Sequence, residues 1–399
     1  MKPLEGVKIL DFTQAHAGSL ATMILSDFGA EVVKIERAGV GDLARYWAPM
    51  KDGNSAYYTH LNRGKKSISL NAYSDEGKEI LFQLLKEADV VCENFKYGSM
   101  DRMGLSYEEV KKINPSIIYA SLNGFGQTGP MKESIGLDLQ LQAMSGLMDR
   151  TGFPDGPPTK VGAAFGDHLS GTYMALAICL ALVNKKKNGT GNRVDIAILD
   201  SLFSILEAAP VTYCLRGEVP ERVGNSYPSI SPYDSFKAKD GYVAIGISTD
   251  SQWFKFCEAL GMDDLAKDER YMNNEVRGDN YESGLREAIE AVTSKMSKFE
   301  IEDKLRDYRL ACGAVCTVAE AMGSEQVKAR EMLVDIEDKA MGKVQIPGTV
   351  IKMYGTPGGF TEGAPLLGEH TEAYLAQLGY SEADIAALIE KKVVEATQA

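Results

Sequence analysis

The chain has 399 residues, 44% of them hydrophobic and 25% charged, which is ordinary globular composition with length for two domains and a sizeable core. Acidic residues outnumber basic ones 56 to 43, and the net charge of -13 argues against nucleic acid as the main partner. The opening residues MKPLEGVKILDF enter a strand at once without a signal-peptide pattern, and the longest apolar run falls short of the ~18 residues of a membrane span, so a cytoplasmic protein is expected.

Residues 7–12 read as a short apolar strand, 19–28 as a helix stopped by Gly29, and 31–35 as a second strand, together a βαβ unit. The alternation continues with a strand near 67–70, a helix over 75–87, a strand at 89–92, a helix near 107–113 and a strand at 116–122. This predicts an α/β fold built on a doubly wound parallel sheet, Rossmann-like in character. Ligands in such folds sit beyond the carboxyl ends of the strands, which directs attention to segments 13–18, 36–42, 94–97 and 123–129. The last holds Gly124-Phe125-Gly126-Gln127-Thr128-Gly129, a match to G-x-G-x-x-G. Pro130 follows it, no helix opens inside it, and the first strand lacks the fingerprint, so a glycine turn is the better reading than a nicotinamide site.

Residues 161–203 hold the best candidate nucleophile. The small residues Gly162, Ala163, Ala164 and Gly166 lead to Asp167, an apolar run over 173–183 reads as a buried helix, and Lys185, Lys186 and Lys187 before Gly189 mark its stop. Asp167 either caps this helix or, kept ionised by the same free N–H groups, offers a carboxylate that can attack an activated acyl carbon. Both readings fit one geometry, and only the surroundings decide. A strand over 194–198 follows.

These elements define a large domain over 1–207. Residues 208–225 read as a connector, and 226–330 as a smaller α/β domain with a hairpin around Lys239-Asp240-Gly241 and helices near 252–260, 284–296 and 298–308. Residues 331–399 carry a strand-like stretch and two short helices, 370–378 and 382–389, and return to the large domain. The six cysteines form no C-x-x-C pair and read as buried free thiols; with His at positions 16, 60, 168 and 370 alone, no metal site is indicated. The basic cluster Arg63, Lys65 and Lys66 reads as a solvated turn.

Several stretches match one family in order and spacing: GVKILDFTQAHAG, GAEVVKIERAGVGD, NRGKKSISLN, ADVVCENFKYGSMDRMGL, YASLNGFGQTGP, GLDLQLQAMSGLM, VGAAFGDHLSGTYMALAICLAL and APLLGEHT. On these residues the chain resembles the class III CoA-transferases, the group of formyl-CoA:oxalate, acetyl-CoA:oxalate and carnitine CoA-transferases. The resemblance implies that Asp167 takes the acyl group of an acyl-CoA as a mixed anhydride, that the CoA thiolate converts it to an enzyme-bound thioester, and that an acceptor acid collects CoA through a second anhydride. It also implies coenzyme A and acyl-CoA as substrates without a permanently bound cofactor, a small carboxylic acid as the other substrate, and an interlocked homodimer.

Carried over by residue, the CoA contacts fall on Ala15, His16, Arg37, Leu70, Asn94, Phe95, Arg102 and Met103. Arg37 and Arg102 suit the phosphates, and Asn94 with Phe95 suits an adenine pocket. Asp138, in GLDLQLQ, is placed as a second acidic residue near the site, and Gln14, with His16, as a polar side chain that orients acyl groups. Ser19 stands where the family usually has Pro, and could cap the first helix instead. The glycine-rich loop of the formyl-CoA subgroup is absent, since this chain reads IGISTDSQWF there; short carboxylic or dicarboxylic acids, oxalate among them, are the expected acceptors. Two alternatives stay open: a 2-methylacyl-CoA racemase, for which His168 beside Asp167 could supply a His/Asp pair, and a non-catalytic acyl-CoA-binding protein.

Overall fold

The computed structural model describes residues 1–227 and 229–397, which form two compact units: Met1–Leu147, Lys160–Glu207 and Glu325 onward in the larger, and Met148–Thr159 with Ala208–Ser324 in the smaller. Both units are therefore discontinuous in sequence: the larger takes back the C-terminal segment, and the smaller includes Met148–Thr159 besides the later stretch.

In the larger unit β1 (Lys8–Asp11), α1 (Ala17–Asp27), β2 (Glu31–Arg37), α2 (Ala56–Asn62), β3 (Lys66–Leu70), α3 (Asp75–Glu87), β4 (Val90–Glu93), α4 (Tyr107–Ile113), β5 (Ile118–Asn123), α5 (Asp138–Met144), α6 (Phe165–Asn188), β6 (Asn192–Ala197) and α7 (Ile198–Ser204) follow in turn. The short apolar runs form strands because both faces of the sheet are covered. Ile9, Val32 and Val90 share a core with Leu25 of α1 and Ile178 of α6, while their chain neighbours Leu10, Val33 and Val91 share another with Leu81 of α3 and Val110 of α4.

The strands lie in the order β3-β2-β1-β4-β5-β6, all parallel, and a final strand, Val394–Glu395, adds antiparallel to β3 with Val394 opposite Leu70. The expected parallel sheet thus carries one antiparallel edge. Strand order reverses between the neighbours β1 and β4, so the loops that leave their carboxyl ends flank the crevice where such sheets bind ligands.

Several local expectations change. Ser19 is not the cap of α1: the helix starts at Ala17 after His16, and Ser19 is fully buried in its first turn. By length and composition α6 could cross a membrane, contrary to the expectation from its apolar run, but Ser170, Gly171, Met174, Ala175 and Ile178 are buried within this unit. Gly189 ends α6 in the left-handed region (φ 71) after the three lysines, as expected.

The smaller unit contains α8 (Ala209–Arg216), β7 (Tyr233–Ala238), β8 (Gly241–Gly246), α9 (Asp250–Leu260), α10 (Arg286–Thr293), α11 (Lys298–Asp307) and β9 (Ala311–Ala314). The three strands pair antiparallel in the order β9-β8-β7 over a core that includes Phe236, Val243, Trp253, Ile289 and Leu305. The stretch expected as a connector opens with a helix because Pro210 falls in the first turn of α8, where its missing N–H has no partner to lose. Of the six free cysteines, Cys92 and Cys257 are buried, but Cys214 and Cys316 are exposed, against expectation.

Candidate active site

Helix α6 begins earlier than its apolar run suggests. Its cap is Ala164, so Asp167 is the third helical residue and does not cap the helix. The first-turn N–H groups go instead to Asp138, the first residue of α5: its Oδ1 accepts from the Gly166 N–H at 2.7 Å and from the Asp167 N–H at 3.4 Å, while its Oδ2 accepts from Gln142 Nε2 at 2.6 Å. Gly166 permits this approach, since a Cβ there would lie 3.0 Å from Asp138 Oδ1 and 2.8 Å from Ile198 Cγ2. The expectation that the helix terminus would keep Asp167 ionised is overturned. Burial first, and then the Asp138 charge, raise the Asp167 carboxyl from its usual range to about 6.

One turn further along α6, Gly171 brings the helix against the start of α1, where a Cβ would lie 2.4 Å from the Ala17 carbonyl oxygen. This contact sets the loop after β1 beside the first turn of α6. The His16 ring centroid lies 5.9 Å from that of His168 and 5.8 Å from that of Tyr57, and the Tyr57 hydroxyl is 2.5 Å from His16 Nδ1. His16 Nε2 is buried without a partner among the described residues. Burial and the neighbouring His168 hold His16 at about 4, so it is neutral at pH 7. Burial and the Asp167 charge push Tyr57 up to about 12.

Tyr57 escapes sequence reasoning because AYYTHLN offers two adjacent tyrosines and nothing to choose between them. The helix pitch separates them: Tyr58 turns inward to Glu36 and Arg45.

A second group of expected residues, Gln14, Arg37, Leu70, Phe95 and Met103, lines one cavity of about 230 Å³ with Tyr73 and Ser99 beyond the ends of β1, β2 and β3. Arg37 is exposed and thus free for an anionic group. Arg102 is exposed too, but it is not in the lining; its Nη2 donates to Ser99 Oγ at 2.8 Å, so it stands one residue behind the wall. Ala15 is also outside the lining, in the left-handed region at φ 61, with its N–H on Asp42 Oδ1 at 3.0 Å. Asn94 is outside the lining as well, and the Gln14 backbone engages both ends of its side chain. The structure therefore gathers Asp167, Asp138 and His16 at one end of the β1 loop and the cavity residues at the other, with Gln14 and His16 two positions apart.

Two further readings resolve here. The glycine-rich segment after β5 is a turn whose amides have protein partners: Phe125 and Gly126 donate to Asn123 Oδ1, and Gln127 to the Asp195 carboxylate. Arg63 and Lys65, expected in a solvated turn, are buried instead. Arg63 donates to both oxygens of Asp27 at 3.1 and 2.7 Å, and Lys65 pairs with Asp11 at 3.0 Å.

The model of CoA-transferase family III matches residues 4–371. The chain belongs to this family. The succinate–glutarate CoA-transferase of Agrobacterium fabrum is 37% identical over 385 residues, covering 94% of this chain and 96% of that protein. The acetyl-CoA:oxalate CoA-transferase of Acetobacter aceti is 37% identical over 96% of this chain and 97% of its own. Among solved structures, a CaiB/BaiF family protein from Brucella suis superposes with a TM-score of 0.87 at 37% identity, covering 94% of this chain and 99% of that one. The family III chain is accordingly an enzyme, a CoA-transferase acting on acyl-CoA and small carboxylic acids.

Proposed function

We propose that the enzyme moves CoA from an acyl-CoA to a short carboxylic or dicarboxylic acid through covalent attachment at Asp167. The observation that carries this reading is a half-buried carboxylate to which no described side chain or backbone group donates a hydrogen bond, with a pKa of about 6. At pH 7 it is mostly ionised, and poor solvation leaves its lone pairs available for attack.

An Asp167 oxygen attacks the thioester carbonyl carbon, the C–S bond breaks, and CoA leaves as thiolate. The thiolate then attacks the Asp167 carbonyl of the anhydride and expels the donor acid as carboxylate, leaving an aspartyl-CoA thioester. The acceptor carboxylate repeats the sequence in reverse. No net proton is gained or lost, and the activated acyl bond is never surrendered to water provided the site is closed. Neutral His16, with Nε2 unpaired, is placed to donate to a developing oxyanion. The cavity that Gln14, Arg37, Leu70, Phe95 and Met103 line would take part of the CoA, with Arg37 at an anionic group and Arg102 steadying the Ser99 wall.

The test is covalent trapping. Incubation with a donor acyl-CoA followed by hydroxylamine is expected to leave a hydroxamate on the peptide bearing Asp167, and Asp167→Ala is expected to remain folded while losing exchange. Near-normal turnover by Asp167→Ala would remove the nucleophile. Deuterium wash-in at the α-carbon of a 2-methylacyl-CoA without any acceptor acid would replace transfer with racemisation.

Homodimerisation belongs to the same proposal. Leu176, Leu180 and Val183 are more than half exposed along one side of α6, and Phe203 on α7 is likewise exposed. Beside them a groove of about 340 Å³ runs between α6, β6 and α7. An apolar face of this kind on a core helix suits a second copy of the chain, and a cytoplasmic location agrees with a helix whose other side is packed in the core.

A further inference from the structure

The loop after β1 has an unusual support. Its three consecutive amides, at Thr13, Gln14 and Ala15, donate not to backbone but to three different side chains. The Thr13 N–H and hydroxyl go to Asp11 Oδ1 at 2.9 and 2.5 Å, the Gln14 N–H to Asn94 Oδ1 at 2.7 Å, and the Ala15 N–H to Asp42 Oδ1 at 3.0 Å.

The carbonyls are held as well. Asn94 Nδ2 donates back to the Gln14 oxygen at 2.8 Å, so one side chain closes a reciprocal pair like a rung between strands. Lys34 Nζ donates to the Thr13 oxygen at 2.7 Å and pairs with Asp42 at 2.8 Å, in full burial on both sides. Gly18 of α1 is packed onto the same arrangement: a Cβ there would lie 2.5 Å from Thr13 Cγ2 and 3.1 Å from Asn94 Cγ.

What this support fixes is a single strained residue. Ala15 sits at φ 61, in the left-handed region that a residue with a Cβ rarely adopts. On one side of it Gln14 turns into the cavity; on the other His16 turns toward Tyr57 and His168. Without the clamp the loop would relax at Ala15, and the cavity end and the nucleophile end would lose their mutual register.

We infer that the Asn94 side chain, with Asp42 behind Ala15, is a positioning group that holds the β1 loop in its strained form. This rests on the reading of Asp167 and the β1 loop as the reacting site. Asn94 holds the Gln14 peptide unit from both sides with one N–H and one oxygen lone pair, which fixes the amide plane and the loop with it. Its loss should act on the chemical step, where a displacement of about 1 Å can cost on the order of 100-fold, more than on CoA binding.

Three readouts on the whole enzyme test it: kcat for CoA exchange, the dissociation constant of free CoA by calorimetry, and amide hydrogen exchange of the peptide spanning residues 13–17. For Asn94→Leu the expectation is a fall in kcat of about 10- to 100-fold, a change in CoA affinity of less than about threefold, and exchange of that peptide faster by about tenfold or more. Asn94→Asp, which keeps the acceptor for the Gln14 N–H but faces the Gln14 carbonyl with an oxygen, should fall between. Should Asn94→Leu fail to fold, Asn94→Asp alone decides by the same three measurements. Unchanged kcat, or CoA affinity lost by as much as kcat, overturns the proposal. Activity retained by Asp167→Ala would instead sink the nucleophile reading, and the exchange measurement would still report on the clamp.

Discussion

Asp138 receives the Gly166 N–H at 2.7 Å and so occupies the positive end of the 24-residue helix on which Asp167 stands. Two carboxylates share one helix terminus, and the one that is stabilised is not the one proposed to react. This division can be measured. Asp138→Asn keeps an oxygen acceptor and removes the charge, so the acid limb of the kcat/KM profile, expected near pH 6 in the parent, should move down by up to about one unit. Asp138→Ala should move it further, because freed N–H groups turn to Asp167, and should cost about 1 kcal/mol of stability as a lost cap does. A profile that stays in place in both variants would separate Asp138 from Asp167.

Stability should carry the same signature with a definite sign. The folded carboxyl of Asp167 titrates at about 6, above its unfolded value of about 4, so the parent loses stability as pH rises between them. Asp167→Asn lacks that loss. Discounted for partial exposure, the variant should be more stable by about 1 kcal/mol at pH 7, with the gain fading below about pH 4. Melting curves at pH 4 and pH 7 suffice, and a gain that is larger at pH 4 would contradict the assignment.

The buried Arg63 is a structural rather than a chemical group. Its guanidinium engages both oxygens of Asp27 and also donates to the Pro347 carbonyl at 2.9 Å, so it ties α1 and the turn after α2 to residues near the hairpin of Leu333–Asp338 and Gly342–Pro347. Arg63→Ala leaves the buried Asp27 carboxyl without its ion-pair partner, with the Thr349 hydroxyl at 2.9 Å still donating to it, and is expected to cost about 3 kcal/mol in chemical denaturation. Arg63→Lys should recover little, because the paired geometry needs the planar fork. A loss under 1 kcal/mol for the Ala variant would show that the pair relaxes into solvent.

Leu180 tests the assembly. It is 63% exposed at the centre of the bare side of α6, so Leu180→Asp should leave the fold unaltered in circular dichroism. Light scattering should then show the parent at twice the mass of one chain and the variant shifted toward a single chain. A parent that runs as a monomer at every concentration would refute the dimer.

The larger unit was legible because its strands are buried on both faces and its helices are capped by ordinary signals. The helices Asp75–Glu87 and Tyr107–Ile113 agree with expectation at both ends, each behind a serine whose side chain accepts an N–H of the first turn. The site was legible in composition but not in contact. Asp167 reads from sequence either as the helix cap or as a free carboxylate, because nothing in its vicinity reveals that a carboxylate 29 residues earlier arrives to take the cap's place. Asn94 and Lys65 show the same blind spot. A polar residue beside a strand reads as a ligand contact or a wet turn, and only the packing of distant segments reveals the partners it has. The small residues Gly18, Gly166 and Gly171 are the signal that such packing occurs, since each sits where a methyl group would collide.

The last strand has a bearing on handling the protein. Besides covering the edge of β3, the Glu395 carboxylate accepts the Gly39 N–H at 2.7 Å and the Ser69 hydroxyl at 3.3 Å, two residues from Arg37 and one from Leu70. Trimming that tail would uncover a hydrogen-bonding edge open to self-association and, in the same cut, unlatch the rim where a nucleotide would enter. Precipitation and weakened substrate grip in shortened versions would then share one origin.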